Sequence, residues 1–68
     1  IGQEIKKARI KAGISQEELA FRAGLHRTYI SLLENNKKSP TLDTLFRICK
    51  ALEISAAKLI AKVERTKK

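Results

Sequence analysis

The sequence is poor in residues on which several protein classes depend. Its single cysteine, Cys49, leaves no internal disulfide to form, so packing alone must hold the fold, and a cytoplasmic, reducing location is expected. With one histidine and three glycines, the chain has no metal-ligand spacing, no cluster of nucleophile and base, and no glycine-rich phosphate loop. We therefore expect no enzyme, no cofactor, no bound metal and no small-molecule ligand. No stretch approaches the ~20 apolar residues of a membrane span, and no N-terminal signal is visible.

Acidic residues are also few. The 68 residues include 15 Lys and Arg but seven Asp and Glu, and the formal net charge of +8 predicts an anionic partner: DNA, RNA, an acidic protein or a membrane surface. The basic residues are spread over several helix faces, which disfavours a membrane surface. A chain this short buries one small core, and its 43% hydrophobic residues are too many for a disordered chain.

The apolar spacing predicts five short helices and no strand, which makes the fold class all-α. The first helix is expected over residues 2–12 and ends at Gly13. Ile10 lies off its inner face, which consists of Ile1, Ile5, Ala8, Arg9 and Ala12. Ser15 and Glu18 form a capping box at the start of the second helix, and Gly24 ends it.

The third helix is expected over residues 27–34 and the fourth over residues 42–52. Ile30 and Leu33 point inward from the third, and Thr41 caps the fourth. The apolar stripe of the fourth helix consists of Leu42, Leu45, Ile48, Cys49 and Leu52. Ser55 is expected to cap a fifth helix, which carries the apolar residues Leu59, Ile60 and Val63. We expect residues 1–64 to form one domain and residues 65–68 to form a basic tail. The short turn between the second and third helices has the length and chemistry of a helix-turn-helix.

Residues 15–34, SQEELAFRAGLHRTYISLLE, resemble the helix-turn-helix of the lambda-repressor-like family of phage repressors and Cro proteins. The similarity extends to IG at the start, AR at 8–9, PTLDTL from Pro40 and ALEIS from Ala51. Within that family, GLHRTYIS is similar to the small controller proteins of restriction–modification systems. The resemblance implies a sequence-specific transcriptional regulator of double-stranded DNA that both activates and represses, depending on occupancy.

The start of the third helix is the predicted reading end, because the N-terminal residues of a recognition helix enter the major groove. Arg27 carries a planar fork suited to guanine O6 and N7, and Leu32 offers an apolar surface to a thymine methyl. His26 is either a surface residue at the helix end or a DNA contact. The predicted base contacts are His26, Arg27, Thr28, Ser31 and Leu32.

Phosphates are expected to meet the N–H groups at the start of the second helix, opened by Gln16, and the loop after the third. Arg22 and Tyr29 are further candidates, although Tyr29 could instead pack on its own helix. The loop resembles the family's backbone-contacting loop through Asn35, Lys37 and Lys38. Arg9 lies on an apolar face and needs a partner, and the family pairs an arginine and a glutamate at positions matching Arg9 and Glu34.

A homodimer is expected, because one helix of about eight residues reads too few base pairs to find a site in a genome. A core this small leaves apolar residues over, and the predicted dimer interface is Ile54, Ala57, Ile60 and Val63. Two other functions stay open at this point. One is an antitoxin that binds a toxin and represses its operon. The other is the DNA-binding domain of a longer ligand-responsive repressor.

Overall fold

Five helices follow one another in the computed structural model, which describes the backbone of residues 1–66 and the side chains of residues 1–62. The described part contains no strand, so the predicted all-α fold is confirmed. No helix in it is long and apolar enough to cross a membrane. The helices are α1 (Gly2–Ala12), α2 (Gln16–Ala23), α3 (Arg27–Glu34), α4 (Leu42–Leu52) and α5 (Ala56–Thr66).

Three helices begin at the predicted caps. Ser15 Oγ accepts a hydrogen bond from the N–H of Glu18 at 3.0 Å, and Thr41 Oγ1 accepts one from the N–H of Thr44 at 3.1 Å. Ser55 Oγ accepts in the same way from the N–H of Lys58 at the start of α5. The reciprocal half of the capping box is absent, because the Glu18 carboxylate accepts from Arg22 Nε at 2.8 Å instead.

Two of the helix ends need glycine. Gly13 after α1 has φ of 75° and Gly24 after α2 has φ of 69°, and both lie in the left-handed region where a side chain is strained. The turn at Gly24 is tight, since the N–H of Leu25 donates to the carbonyl of Ala20 at 2.8 Å. Three residues, 24–26, therefore separate α2 from α3, as a helix-turn-helix requires.

The core lies where α2 packs on α3 and α4, with α1 and α5 closing it from the other side. Its completely buried large side chains are Ile5, Leu19, Ile30, Leu33 and Ile48. Cys49 is buried in the same cluster, as its place in the apolar stripe predicts, and burial raises the pKa of its thiol. The structure therefore assigns Cys49 to packing rather than to thiol chemistry.

Two apolar predictions were wrong. Leu42 belongs to the predicted stripe of α4 but is 62% exposed, and Ala12 on the predicted inner face of α1 is exposed as well. Both are terminal residues of their helices, where the neighbouring helices no longer cover the side chain. Periodicity indicates which face of a helix points inward, but not how far along the helix its neighbours extend. Ile10, predicted to lie off the inner face, is 59% exposed.

Candidate nucleic-acid interface

The start of α3 stands free in solvent. His26 precedes it with extended backbone angles and makes no side-chain cap, and the side chains of His26, Arg27 and Thr28 are all exposed. Their presentation depends on the opposite face of the helix, where Ile30 and Leu33 are completely buried. Because these anchors follow the exposed residues within two turns, the helix is held firmly while its first turn projects.

The two remaining predicted base contacts are less accessible. Ser31 and Leu32 are half-buried, although both are predicted on the outward face of the helix. The Leu32 carbonyl accepts hydrogen bonds from the N–H groups of Lys37 at 2.9 Å and Lys38 at 3.3 Å. The Ser31 carbonyl accepts from Asn35 Nδ2 at 2.9 Å. The chain after α3 therefore folds back on the helix and covers part of this turn.

The far end of α3 is fastened to α1 and α2 through Glu34. Arg9 Nε donates to Glu34 Oε2 at 2.6 Å, and Arg9 Nη2 donates to Glu34 Oε1 at 3.1 Å. The two residues therefore form a bidentate ion pair. Arg9 Nη1 also donates to the Ile14 carbonyl at 2.9 Å. Glu34 is only 4% exposed, so the pair lies in a low-dielectric environment where losing either partner is costly.

Gln16 takes part in this network rather than pointing freely outward. Its Nε2 donates to Glu34 Oε1 at 3.1 Å, which commits one of its two amide hydrogens to the buried carboxylate. The first N–H groups of α2 still lack partners inside the helix, so the predicted phosphate contact at this end rests on the backbone. Gln16, Ser15 and Glu17 line one shallow depression together with Arg27, which brings the predicted reading end and phosphate end side by side.

The other predicted phosphate contacts fall into two groups. Asn35, Lys37 and Lys38 are exposed together in the turn that follows α3. Arg22 is partly exposed on α2 and tied to Glu18, while Tyr29 is half-buried and packs against the core. The structure thus brings the loop residues together beside α3, and it places the Tyr29 ring where packing accounts for it.

Two positioning residues escaped the sequence reasoning. The N–H of Gly2 donates to Asn36 Oδ1 at 3.0 Å, which fastens the start of α1 to the turn after α3. A Cβ on Gly2 would stand 2.2 Å from the Leu33 carbonyl oxygen, so glycine alone fits this approach. Asn36 has φ of 57°, a left-handed angle that asparagine tolerates better than most residues. The sequence feature that could have identified Asn36 is its place in a polar turn, where asparagine commonly adopts such an angle.

The predicted dimer residues belong to α5 and to the turn that precedes it. Ile54 is half-buried and packs against the core, Ala57 is exposed and Ile60 is 37% exposed. Val63 lies outside the described side chains, as do the residues of the predicted basic tail. Within the described residues, no group of three His, Cys, Asp or Glu side chains could hold a metal ion.

Several known proteins resemble this chain in sequence and in structure. A family model described as helix-turn-helix matches residues 5–59. The control protein C.BamHI of Bacillus amyloliquefaciens is 42% identical over 60 residues, covering 87% of this chain and 74% of that protein. The control protein C.SmaI of Serratia marcescens is 39% identical over 62 residues, covering 91% and 74%. The crystal structure of the restriction-modification controller protein C.AhdI from Aeromonas hydrophila superposes with a TM-score of 0.83 at 34% identity, covering 85% of this chain and 88% of that one.

Proposed function

This chain belongs to the helix-turn-helix family of DNA-binding transcriptional regulators, and from that premise we propose that it binds a two-fold symmetric operator in duplex DNA as a homodimer. The observation that carries the proposal is the asymmetry of α3. Its first turn presents Arg27 and Thr28 to solvent, while its last residue, Glu34, is buried in a hydrogen-bonded network.

In this proposal the first turn of α3 enters the major groove. Arg27 is the main base contact, because its guanidinium can donate twice to one guanine. His26 and Thr28 supply further contacts beside it, and Ser31 and Leu32 reach bases one turn later. Two parts of the protein contact the phosphate groups on either side of α3. One is the set of N-terminal N–H groups of α2, and the other is the turn with Asn35, Lys37 and Lys38.

The dimer follows from the small size of this reading surface. Two copies related by a two-fold axis place their α3 helices about 34 Å apart, one turn of B-DNA. The partly exposed Ile60, with Ala57, Ile54 and Val63, is the proposed contact between the copies. We propose residues 1–64 as the domain that carries both functions and residues 65–68 as a solubilising tail. Neither a membrane nor a small-molecule ligand takes part.

The biological role that we propose is that of a restriction–modification controller. Two of the relatives are control proteins, and the superposed crystal structure is that of a restriction-modification controller protein. A controller of this type acts on operators beside its own gene. The net charge of this chain, +8, favours its approach to DNA of any sequence. The few exposed residues of α3 would then determine which site is bound.

The proposal is tested by selecting bound sites from a pool of random duplex DNA. The expected result is a consensus of two inverted half-sites whose centres lie about 10 base pairs apart. The same selection with Arg27→Ala should lose the preference at one base pair in each half-site. Selected sites with no common sequence, or with a single asymmetric half-site, would reject the operator model.

The dimer face has a separate test. Ile60→Asp places a charge in the proposed contact and should shift the sedimentation coefficient toward that of a monomer. Ile10→Asp is the matched control, because Ile10 is also an exposed isoleucine but lies on α1 outside the proposed interface. A dimer that persists in Ile60→Asp, or one that dissociates equally in Ile10→Asp, would rule out this interface.

A further inference from the structure

The outward face of α2 carries an aromatic side chain that neither the fold nor the DNA proposal uses. Phe21 is 82% exposed, more than any other large hydrophobic residue whose side chain is described. α2 packs through Leu19, Ala20 and Ala23, which are all buried. Phe21 follows Leu19 by two residues, about 200° around the helix, and so points away from the core. Burying its ring would remove a large apolar area from water.

A shallow depression opens beside this ring, between the end of α2 and α4. Phe21 lines one side of the depression, and the small residues that line it are Ala23, Gly24 and Ala51. A Cβ on Gly24 would find Arg47 Nη1 at 4.0 Å and no nearer atom, so the space above the turn is open. Arg22, Arg47 and Lys50 complete the lining. An apolar wall and a rim of cations therefore share one concave surface.

Two of the three cations on this rim have carboxylate partners. Arg22 donates to Glu18 at 2.8 Å, and Arg47 Nε lies 3.2 Å from Asp43 Oδ2. Lys50 is exposed, and its ammonium has no ion pair among the described residues. The surface thus combines a lysine without an ion pair in the described part of the chain, two arginines that are each paired with a carboxylate, and an exposed ring.

This pattern fits a protein better than a nucleic acid. A phosphate backbone presents a continuous row of negative charges, and here it would meet the carboxylates of Glu18 and Asp43. The bases of duplex DNA are stacked on each other and leave no free face for the Phe21 ring. A protein segment can instead supply one carboxylate for Lys50 and one apolar side chain for Phe21, and aromatic residues are typical anchors of protein interfaces.

We propose that the surface formed by Phe21, Gly24, Arg47 and Lys50, the Phe21 surface, binds a partner protein. The partner presents a short segment in which an aliphatic or aromatic side chain stands beside an aspartate or glutamate. This contact uses neither the first turn of α3 nor the α5 face. It goes beyond the proposed function and does not depend on the dimer.

The test uses the full chain, immobilised, and a random peptide library displayed on phage as the probe. Selected peptides should pair an apolar residue with Asp or Glu at a neighbouring position. A synthetic copy of the best peptide should bind Phe21→Ala and Lys50→Glu about tenfold more weakly or worse. Ile10→Ala removes an exposed apolar residue elsewhere and should bind the peptide like the unchanged protein.

Thermal unfolding shows whether each variant is still folded. Because Phe21 and Lys50 are exposed, neither variant should lower the unfolding midpoint, and Lys50→Glu tests the surface independently of Phe21. Peptides that lack acidic residues, or that bind Phe21→Ala undiminished, would overturn the proposal. Self-association abolished by Phe21→Ala in sedimentation would assign the surface to a second copy. A tenfold loss of affinity for random-sequence duplex DNA in Phe21→Ala would assign it to DNA.

Discussion

The two ends of the recognition helix α3 are built in opposite ways. At its start, His26, Arg27 and Thr28 are exposed, and the helix lacks a side-chain cap. At its end, Glu34 is buried and accepts three hydrogen bonds, two from Arg9 and one from Gln16. The same eight residues thus combine an exposed first turn and an end whose buried carboxylate is fully engaged in hydrogen bonds.

This difference separates affinity for DNA from stability of the fold. Residues at the open end can change with little effect on folding, because no other part of the molecule depends on them. Residues at the closed end join α1, α2 and α3, so a change there alters the direction in which the open end points. We therefore expect variants at the closed end to lower the free energy of unfolding and variants at the open end to lower DNA affinity alone.

The largest effect should come from Glu34→Ala at the closed end. It leaves Arg9 charged, partly buried and without its carboxylate, and should lower the free energy of unfolding by about 3–5 kcal/mol in urea denaturation. Glu17→Ala, which removes an exposed carboxylate from the neighbouring helix, is the control and should change stability by less than about 0.5 kcal/mol. A loss below about 1 kcal/mol in Glu34→Ala would show that the network does not hold α3.

The next largest effect is expected for Gly2→Ala. The added methyl group would collide with the backbone carbonyl of Leu33 at 2.2 Å, so α1 must move away from the end of α3. We expect a loss of about 1–3 kcal/mol, the usual cost of overpacking. Gln3→Ala alters the adjacent exposed position and should be nearly neutral. Equal unfolding midpoints for Gly2→Ala and Gln3→Ala would mean that this approach of the two helices is not tight in solution.

At the open end, Arg27→Ala should leave the unfolding curve unchanged and weaken operator binding by about 1–3 kcal/mol. Specificity should relax at one base pair in each half-site, measured with operators substituted one base pair at a time. Lys6→Ala, on the exposed face of α1, is the control for loss of charge. If Arg27→Ala weakens binding to operator and to random DNA equally, Arg27 contacts phosphate and not bases.

The smallest effect is expected for Lys38→Ala in the turn after α3. Removing one phosphate contact should weaken binding to all sequences alike and reduce the slope of log affinity against log salt by about 0.9 per protomer. Lys7→Ala, on α1, removes the same charge from an exposed position outside the proposed interface and should leave the slope nearly unchanged. An identical slope in Lys38→Ala and the unchanged protein would remove Lys38 from the interface.

The helices of this protein were readily predicted from local patterns. Ser15, Thr41 and Ser55 cap the helices where their side-chain chemistry places them, and Gly13 and Gly24 end helices at left-handed angles that glycine adopts without strain. Periodicity correctly assigned Ile30 and Leu33 to the core, because helical spacing alone decides which residues share a face.

The site was less predictable wherever a residue has two possible partners. Gln16 was expected at a phosphate, yet its amide donates to Glu34, which is distant in the chain and close in space. Outside the site, Leu42 fits the apolar stripe of α4 but is exposed. Nothing in the spacing around Phe21 indicated that the open depression beside it would be lined by Arg47 and Lys50 from another helix.

Local sequence patterns specify the five helices, the caps at Ser15, Thr41 and Ser55, the tight turn before α3 and the family, because these depend on interactions within a few residues or on a contiguous motif. The close approach of Gly2 to α3, the partner of Gln16 and the exposure of particular apolar side chains become clear only once the helices are packed together. The physical reason is that burial and hydrogen bonding between distant segments depend on where whole helices lie. A small displacement of α1 relative to α3 would change the contacts of Gly2 and Glu34 and leave every local sequence pattern as it is.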